Sequence, residues 1–161
     1  MRGPTWVVGC GVLCAAVLAT GAIGARVPAG PRLVAVELQP EDPSPGGQFV
    51  AVANTTRATI DIGCWRLRST TATMTVRPPL VLLPGKIALL SPDRAWLRSA
   101  DRVRLVDKRG RQRDATPELA DRAGDDRIWF RTGAAPWKFG RTTLGKGVVA
   151  GRLLQRLPSR C

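Results

Sequence analysis

The sequence predicts an all-β domain, and three features of it point that way. From Pro31 onward apolar runs of about four to eight residues recur, many of them alternate apolar and polar residues, and each is followed by Pro, Gly, Asn or Asp punctuation. Runs this short and this evenly spaced build a sandwich or a barrel. At 161 residues the chain suffices for one proper core and not for two comfortable ones.

In chain order, "RLVAVEL" (32–38) reads as the first strand and ends at the Pro/Gly-rich "QPEDPSPGG". "QFVAVAN" (48–54) is the second, closed by "TTR", and "ATIDIGCWRLRS" (58–69) follows with a slip of phase. Ile60 and Ile62 lie on one face of a period-two strand, whereas Trp65 and Leu67 lie on the other. Gly63 at the slip permits a bulge or bend, so the segment is expected to turn a sandwich corner, with Trp65 read as core and, alternatively, as an exposed binding aromatic. "ATMTVR" is a further strand, "LVLL" and "KIALL" are a pair divided by Pro84-Gly85, and "DRVRLVD" and "RQRDAT" are a pair divided by "KRG". "PELADRAGDD" (117–126) is polar and suits a loop or a single helical turn. The tail 146–161 places Val149, Leu153 and Leu157 at helical spacing opposite Arg152, Gln155 and Arg156, although Gly147 and Gly151 make such a helix marginal.

Ahead of this domain, residues 1–25 combine Arg2, an apolar run from Val7 to about Ala25 and the small-residue ending "AIGA". That is the layout of a secretory signal peptide, with an uncleaved membrane anchor as the alternative. Either role exports the rest of the chain, to the cell envelope or beyond. Cys10 and Cys14 fall within the segment, leaving Cys64 and Cys161 for the exported part. Two thiols in an oxidising compartment suggest one disulfide, the alternatives being a free Cys64 and a Cys161 joined to another chain. "NTT" at 54–56 has the form of a glycosylation sequon.

The order of these pieces resembles the lamin tail domain, an immunoglobulin-like sandwich found in nuclear lamins and in exported bacterial proteins. "QFVAVAN" matches the family's second strand and its Asn, "IDIGCWRL" its Leu-x-Gly-Trp-x-Leu step, "LVLLPGKIALL" its Pro-Gly turn, and "DRVRLVDKRGRQRDA" its Asp-x-Val-x-Leu-x-Asp hairpin. "RIWFRTGAAPWKFGRTTLG" resembles its aromatic closing segment, so that the likeness spans residues 31–145. Ala51 stands where the family often has Glu, and Cys64 takes the usual glycine place before Trp65. The resemblance implies an immunoglobulin-like β-sandwich that serves as a binding or scaffolding module, sometimes appended to secreted hydrolases, and it carries over no catalytic residue, cofactor or small-molecule substrate.

The chain has no histidine, which removes the usual Ser/His or Cys/His catalytic arrangements and every His-containing zinc site. Glu118, Asp121, Asp125 and Asp126 match no calcium loop and are interspersed with Arg122 and Arg127, so they read as a solvated or salt-bridged loop. The net charge of +13, mostly arginine, draws the chain to phosphate-rich partners, unless it reflects coding bias alone. After Asp126 there is no acid at all, and Trp129, Phe130, Trp137 and Phe139 lie among basic residues. Interleaved aromatics and cations can grip a single-stranded nucleic acid. Arg131, Lys138, Arg141, Lys146, Arg152, Arg156 and Arg160 are therefore the expected polyanion site, for nucleic acid or an anionic cell-wall polymer. A purely structural or envelope-protein-binding domain, or one working beside a secreted hydrolase, is the alternative.

Overall fold

The computed structural model describes residues 30–41, 47–92, 95–142, 148–155 and 161; the N-terminal segment read as a signal peptide or anchor lies outside them. Among the described residues no helix is long and apolar enough to cross a membrane.

The protein is an all-β sandwich. In chain order its strands are β1 (Pro31–Glu37), β2 (Phe49–Asn54), β3 (Ile60–Asp61), β4 (Arg66–Arg68), β5 (Thr73–Thr75), β6 (Val81–Leu82) and β7 (Ile87–Pro92). The second half adds β8 (Ala100–Asp101), β9 (Arg104–Val106), β10 (Gln112–Ala115), β11 (Leu119–Ala120), β12 (Ile128–Phe130), β13 (Lys138–Gly140) and β14 (Val148–Gln155). A six-stranded sheet has the order β13-β12-β1-β2-β7-β14, and a four-stranded sheet the order β10-β9-β4-β5. Two short pairs, β3 with β6 and β8 with β11, complete the ladder.

The main core lies between the two larger sheets. Val50, Val52, Ala88 and Leu90 of the six-stranded sheet pack against Leu67, Met74 and Leu105 of the four-stranded one, and all are buried. β1 and β2 read as continuous apolar runs because both of their faces are covered: Ala35, Ala51 and Ala53 join Ile128, Leu89 and Phe130 in a second cluster on the other side.

The phase slip is a tight turn. The Trp65 N–H donates to the Ile62 carbonyl at 3.1 Å, and Cys64, third of the four residues, has φ of 64°. A positive φ at that place is the type II requirement that glycine usually meets. Gly63 meets a second demand, because a Cβ there would come within 3.0 Å of both Pro78 Cβ and Asp61 Oδ1. The turn hands the chain from β3, paired with β6, to β4, paired with β5 and β9. It is a corner as expected, but Ile62, Trp65 and Leu67 all enter the same core, so the slip rotates the strand back onto one packing surface. Trp65 is 7% exposed and is a core residue.

Pro84-Gly85 forms the expected turn, with Lys86 N–H donating to the Leu83 carbonyl at 3.1 Å and Gly85 at φ 71°. Asn54 ties this turn to the end of β2. Its side-chain amide donates to the carbonyls of Ala58 (2.8 Å) and Leu82 (2.9 Å), and its Oδ1 accepts from Thr56. The sequon nitrogen is thus buried and engaged in the folded protein.

One expectation is corrected and one open alternative is decided. Residues 148–155 form an edge strand, parallel to β7 with Val148 opposite Ile87 and Leu153 opposite Leu90, and no helix. Val148 and Val149 favour a strand and Gly151 disfavours a helix, while β7 offers an open row of backbone donors and acceptors to pair with; Leu157 lies outside the described residues. The segment 117–126 holds no helical turn either: Leu119 and Ala120 pair with Asp101 and Ala100.

Cys161 meets Cys64 as a disulfide pair, with Cα atoms 5.5 Å apart and a separation of 97 positions in the chain. A loop of that length places the stabilisation at the upper end of the range for disulfides, at most about 4.7 kcal/mol in the chain-entropy description.

Gly63→Ala is expected to destabilise the fold by about 1–3 kcal/mol, since the new methyl must displace the Pro78 backbone. A lower denaturant midpoint at constant slope in urea unfolding is the readout; an unchanged midpoint would show that the turn has room to spare.

Candidate anion-binding surface

The closing segment engages most of its described cations in ion pairs and buries one of them, Arg131. Arg131, directly after β12, donates from Nε to the Leu33 carbonyl at 2.8 Å and from Nη2 to the Asp114 carboxylate, while Trp137 lies against its guanidinium at 4.9 Å. Asp114 also accepts the Leu33 N–H at 2.9 Å. Between Leu33 and Ala35 the β1–β2 register shifts, and beside this bulge the Arg131–Asp114 pair engages the Leu33 N–H and C=O. Burial pushes the Arg131 pKa down, and Asp114 opposes that shift. With only 11% of its side chain exposed, Arg131 is a structural residue and no surface phosphate ligand.

Arg127 pairs with Asp125 at 2.6 Å and lies over Phe139, and Arg141 pairs with Asp126 at 2.8 Å. The Arg127 side chain, followed by its backbone N–H, holds the Asp125 carboxyl below its ordinary range. Asp125 and Asp126 are therefore salt-bridged, and among the described residues no three acids or thiols gather into a metal-holding group. Of the expected set only Lys138 stands exposed without an ion pair among the described residues. Arg152 lies in β14, and Lys146, Arg156 and Arg160 lie outside the described residues.

The stronger basic surface is elsewhere. In the four-stranded sheet Leu67 and Leu105 are fully buried, so by strand alternation Arg66, Arg68 and Arg104 face outward. Arg68 stands directly opposite Arg104 across the ladder. Like charges in opposed positions destabilise a sheet, and none of these three arginines has an ion-pair partner among the described residues.

Each end of this face opens into a cleft. At one end a cavity of about 450 Å³ is lined by Arg98, Arg102 and Arg104 together with Asp101, Thr70 and Glu118. At the other, the β9–β10 hairpin turn carries Lys108 and Arg109 beside a shallower cleft of about 280 Å³. There Arg111 (3.0 Å) and Arg113 (3.8 Å) bridge to Asp107. Burial raises the Asp107 pKa, but the N–H groups of Arg111 and Arg109 and the Arg111 guanidinium outweigh it, so the carboxyl stays ionised below its ordinary range. From Arg102 to Lys108 the row covers roughly 20 Å at strand spacing. The sequence signal was the arginine at every second position in "RLR" and "RVRL", which the charge imbalance of the tail overshadowed.

No protein-family model matches the chain, and neither does any curated protein.

Two outcomes follow from the buried charges. Asp114→Asn or Arg131→Met is expected to cost about 3 kcal/mol of stability, because each leaves one charge of a buried pair uncompensated; equilibrium unfolding measures it, and a loss under 1 kcal/mol would mean the pair is solvated. Glu37, buried on β1, has its pKa raised from 4.5 to about 7, by burial first and then by Asp121 and Asp125, against an N–H donated by Gln39. The folded state therefore holds a proton that the unfolded state releases, so stability should fall as pH rises from about 4.5 to 7, and Glu37→Gln should flatten that fall. Urea midpoints at pH 5 and pH 8 for both proteins give the comparison.

Proposed function

We propose that this chain is an exported, non-enzymatic sandwich of the lamin-tail kind that binds a polyanion on the outward face of its four-stranded sheet. The observation that carries the reading is the opposed pair Arg68 and Arg104 on adjacent strands, with Arg66 beside them and no acid on β4 or β9. Such repulsion lowers stability by some tenths of a kcal/mol, and a bound row of phosphates relieves it. Seven cations, counting Arg66, Arg68, Arg98, Arg102, Arg104, Lys108 and Arg109, lack an ion pair among the described residues on or beside this face. In support of the lamin-tail likeness, Cys64 at the family's glycine place adopts the positive φ that glycine would. The disulfide pair suits an oxidising compartment outside the cytoplasm.

Aromatic stacking contributes little here. Trp65 and Trp96 are in the core, and Trp137 is occupied by Arg131. Charge therefore does most of the binding, and charge is screened.

Affinity for an anionic polymer should fall steeply with salt; about four engaged phosphates give a log–log slope of roughly −3 for a single strand. Arg68→Gln with Arg104→Gln should weaken binding and flatten the slope by about 1.4, with stability unchanged or slightly raised. Fluorescence titration of oligo-dT and of poly(glycerol phosphate) between 20 and 200 mM salt, roughly the range over which release of counterions dominates, makes the test. Loss of binding on replacing Arg152, Arg156 and Arg160 alone would move the site back to the tail. No binding at low salt to either polymer would leave a structural or protein-interaction domain, or a partner of a secreted hydrolase.

A further inference from the structure

We propose that the cleft beside Arg98 and Arg102 is a subsite for one polyol-phosphate unit of an anionic envelope polymer, in which guanidinium groups hold the phosphate and Glu118 accepts hydrogen bonds from polyol hydroxyls. The inference rests on the polyanion reading above and names the ligand class for that surface.

The cleft is built on Asp101, which is 1% exposed. Its Oδ1 accepts the Thr70 N–H (2.8 Å), the Thr70 hydroxyl (2.6 Å) and the Arg102 N–H (2.7 Å), and its Oδ2 accepts the Arg98 N–H at 3.2 Å. One buried carboxylate thus fixes the β4–β5 turn against the backbone of both arginines. Because these donors are neutral backbone and hydroxyl groups, Asp101 leaves the guanidinium groups uncommitted. Arg98, Arg102 and Arg104 make no ion pair among the described residues. Three such groups on a fixed frame suit a phosphate, which the arginine fork can grip with two parallel hydrogen bonds.

Size and lining narrow the ligand. A water molecule takes about 30 Å³ in the liquid, so a cavity of about 450 Å³ exceeds a bare phosphate several-fold and admits the alcohol esterified to it. Among the described residues no aromatic side chain lines the cleft, which leaves a nucleobase nothing there to stack on. Glu118 is exposed at the rim and has no partner among the described residues. A carboxylate there repels closely spaced phosphates but is a good acceptor for vicinal hydroxyls. A hydroxyl-rich anion fits both the arginines and Glu118; DNA, without 2′-hydroxyls, fits the arginines alone.

The test is calorimetric titration of the full chain with poly(ribitol phosphate), whose units keep adjacent free hydroxyls and space the phosphates more widely, and with oligo-dT matched in charge, at one low salt concentration. The wild-type protein should prefer the polyol polymer by about tenfold, the worth of one or two charge-assisted hydrogen bonds. Glu118→Gln should abolish the preference by weakening the polyol polymer and strengthening oligo-dT. Arg98→Gln with Arg102→Gln should weaken both. If Glu118→Gln strengthens both polymers equally, or the wild type prefers oligo-dT, the subsite is overturned while the polyanion reading stands. The subsite likewise fails if Arg98→Gln with Arg102→Gln changes neither affinity but Arg68→Gln with Arg104→Gln lowers both. Binding to neither polymer removes the polyanion reading itself. Thermal unfolding of Glu118→Gln, a change at an exposed side chain, should match the wild type and so separates binding from folding.

Discussion

The sandwich depends on how β1 is held where its ladder skips a residue. At the Leu33/Ala35 bulge the β1–β2 register skips Val34, and beside it the Asp114 carboxylate accepts the Leu33 N–H while the Arg131 guanidinium donates to the Leu33 carbonyl. Asp114 comes from β10 of the four-stranded sheet, and Arg131 follows β12 of the six-stranded one. A single ion pair therefore clamps the two sheets together and satisfies a buried backbone position in the process. Such a pair is expensive to desolvate and strongly destabilising to break, which makes it a constraint on geometry more than a source of net stability. Trp137 over Arg131 extends the clamp to the closing segment. With the sheets in that register, the outward arginines of β4 and β9 have nowhere to go but solvent.

The turn at Ile62 to Trp65 is the second fixed point. Gly63 brings the backbone against Pro78, and Cys64 accepts a backbone conformation that leaves its side chain projecting from the corner instead of into the core. A partly exposed sulfur at a rigid turn is a natural anchor for a distant chain segment. The same corner carries Trp65, which fills the core and supports Arg113 at 5.9 Å beside the hairpin cleft. Packing, covalent tether and charged surface meet within a few residues.

Much of this was legible in the sequence, and the reasons differ by element. "RLVAVEL", "QFVAVAN" and the Pro84-Gly85 turn are local signals, since strand alternation and φ preferences act between neighbours. The corner at Gly63 was visible as a break in period; that its two halves share one core was not, because that depends on which strands pair. Arg131 looked like a surface cation because its partners, Asp114 and Leu33, lie 17 and 98 positions away. The helical period of Val149 and Leu153 was genuine, but the open edge of β7 is a tertiary fact that outweighs it. The basic face was present in the alternation of Arg66, Leu67 and Arg68, yet its meaning appears only when the register sets Arg68 against Arg104.

The parallel seating of β14 on β7 gives the Cys64–Cys161 link a topological role. A terminal edge strand held by one ladder is the element most easily exchanged between two copies of a chain, and such exchange is a common route to swapped dimers. Here the strand is stitched beyond its far end to a corner of its own sandwich, so it cannot migrate to a neighbour while the bond is closed. Conversely, two chains that traded this strand before oxidation would be locked as an interlinked pair. The order of the two events, strand docking and thiol oxidation, thus decides whether folding yields monomers or a covalent exchange product.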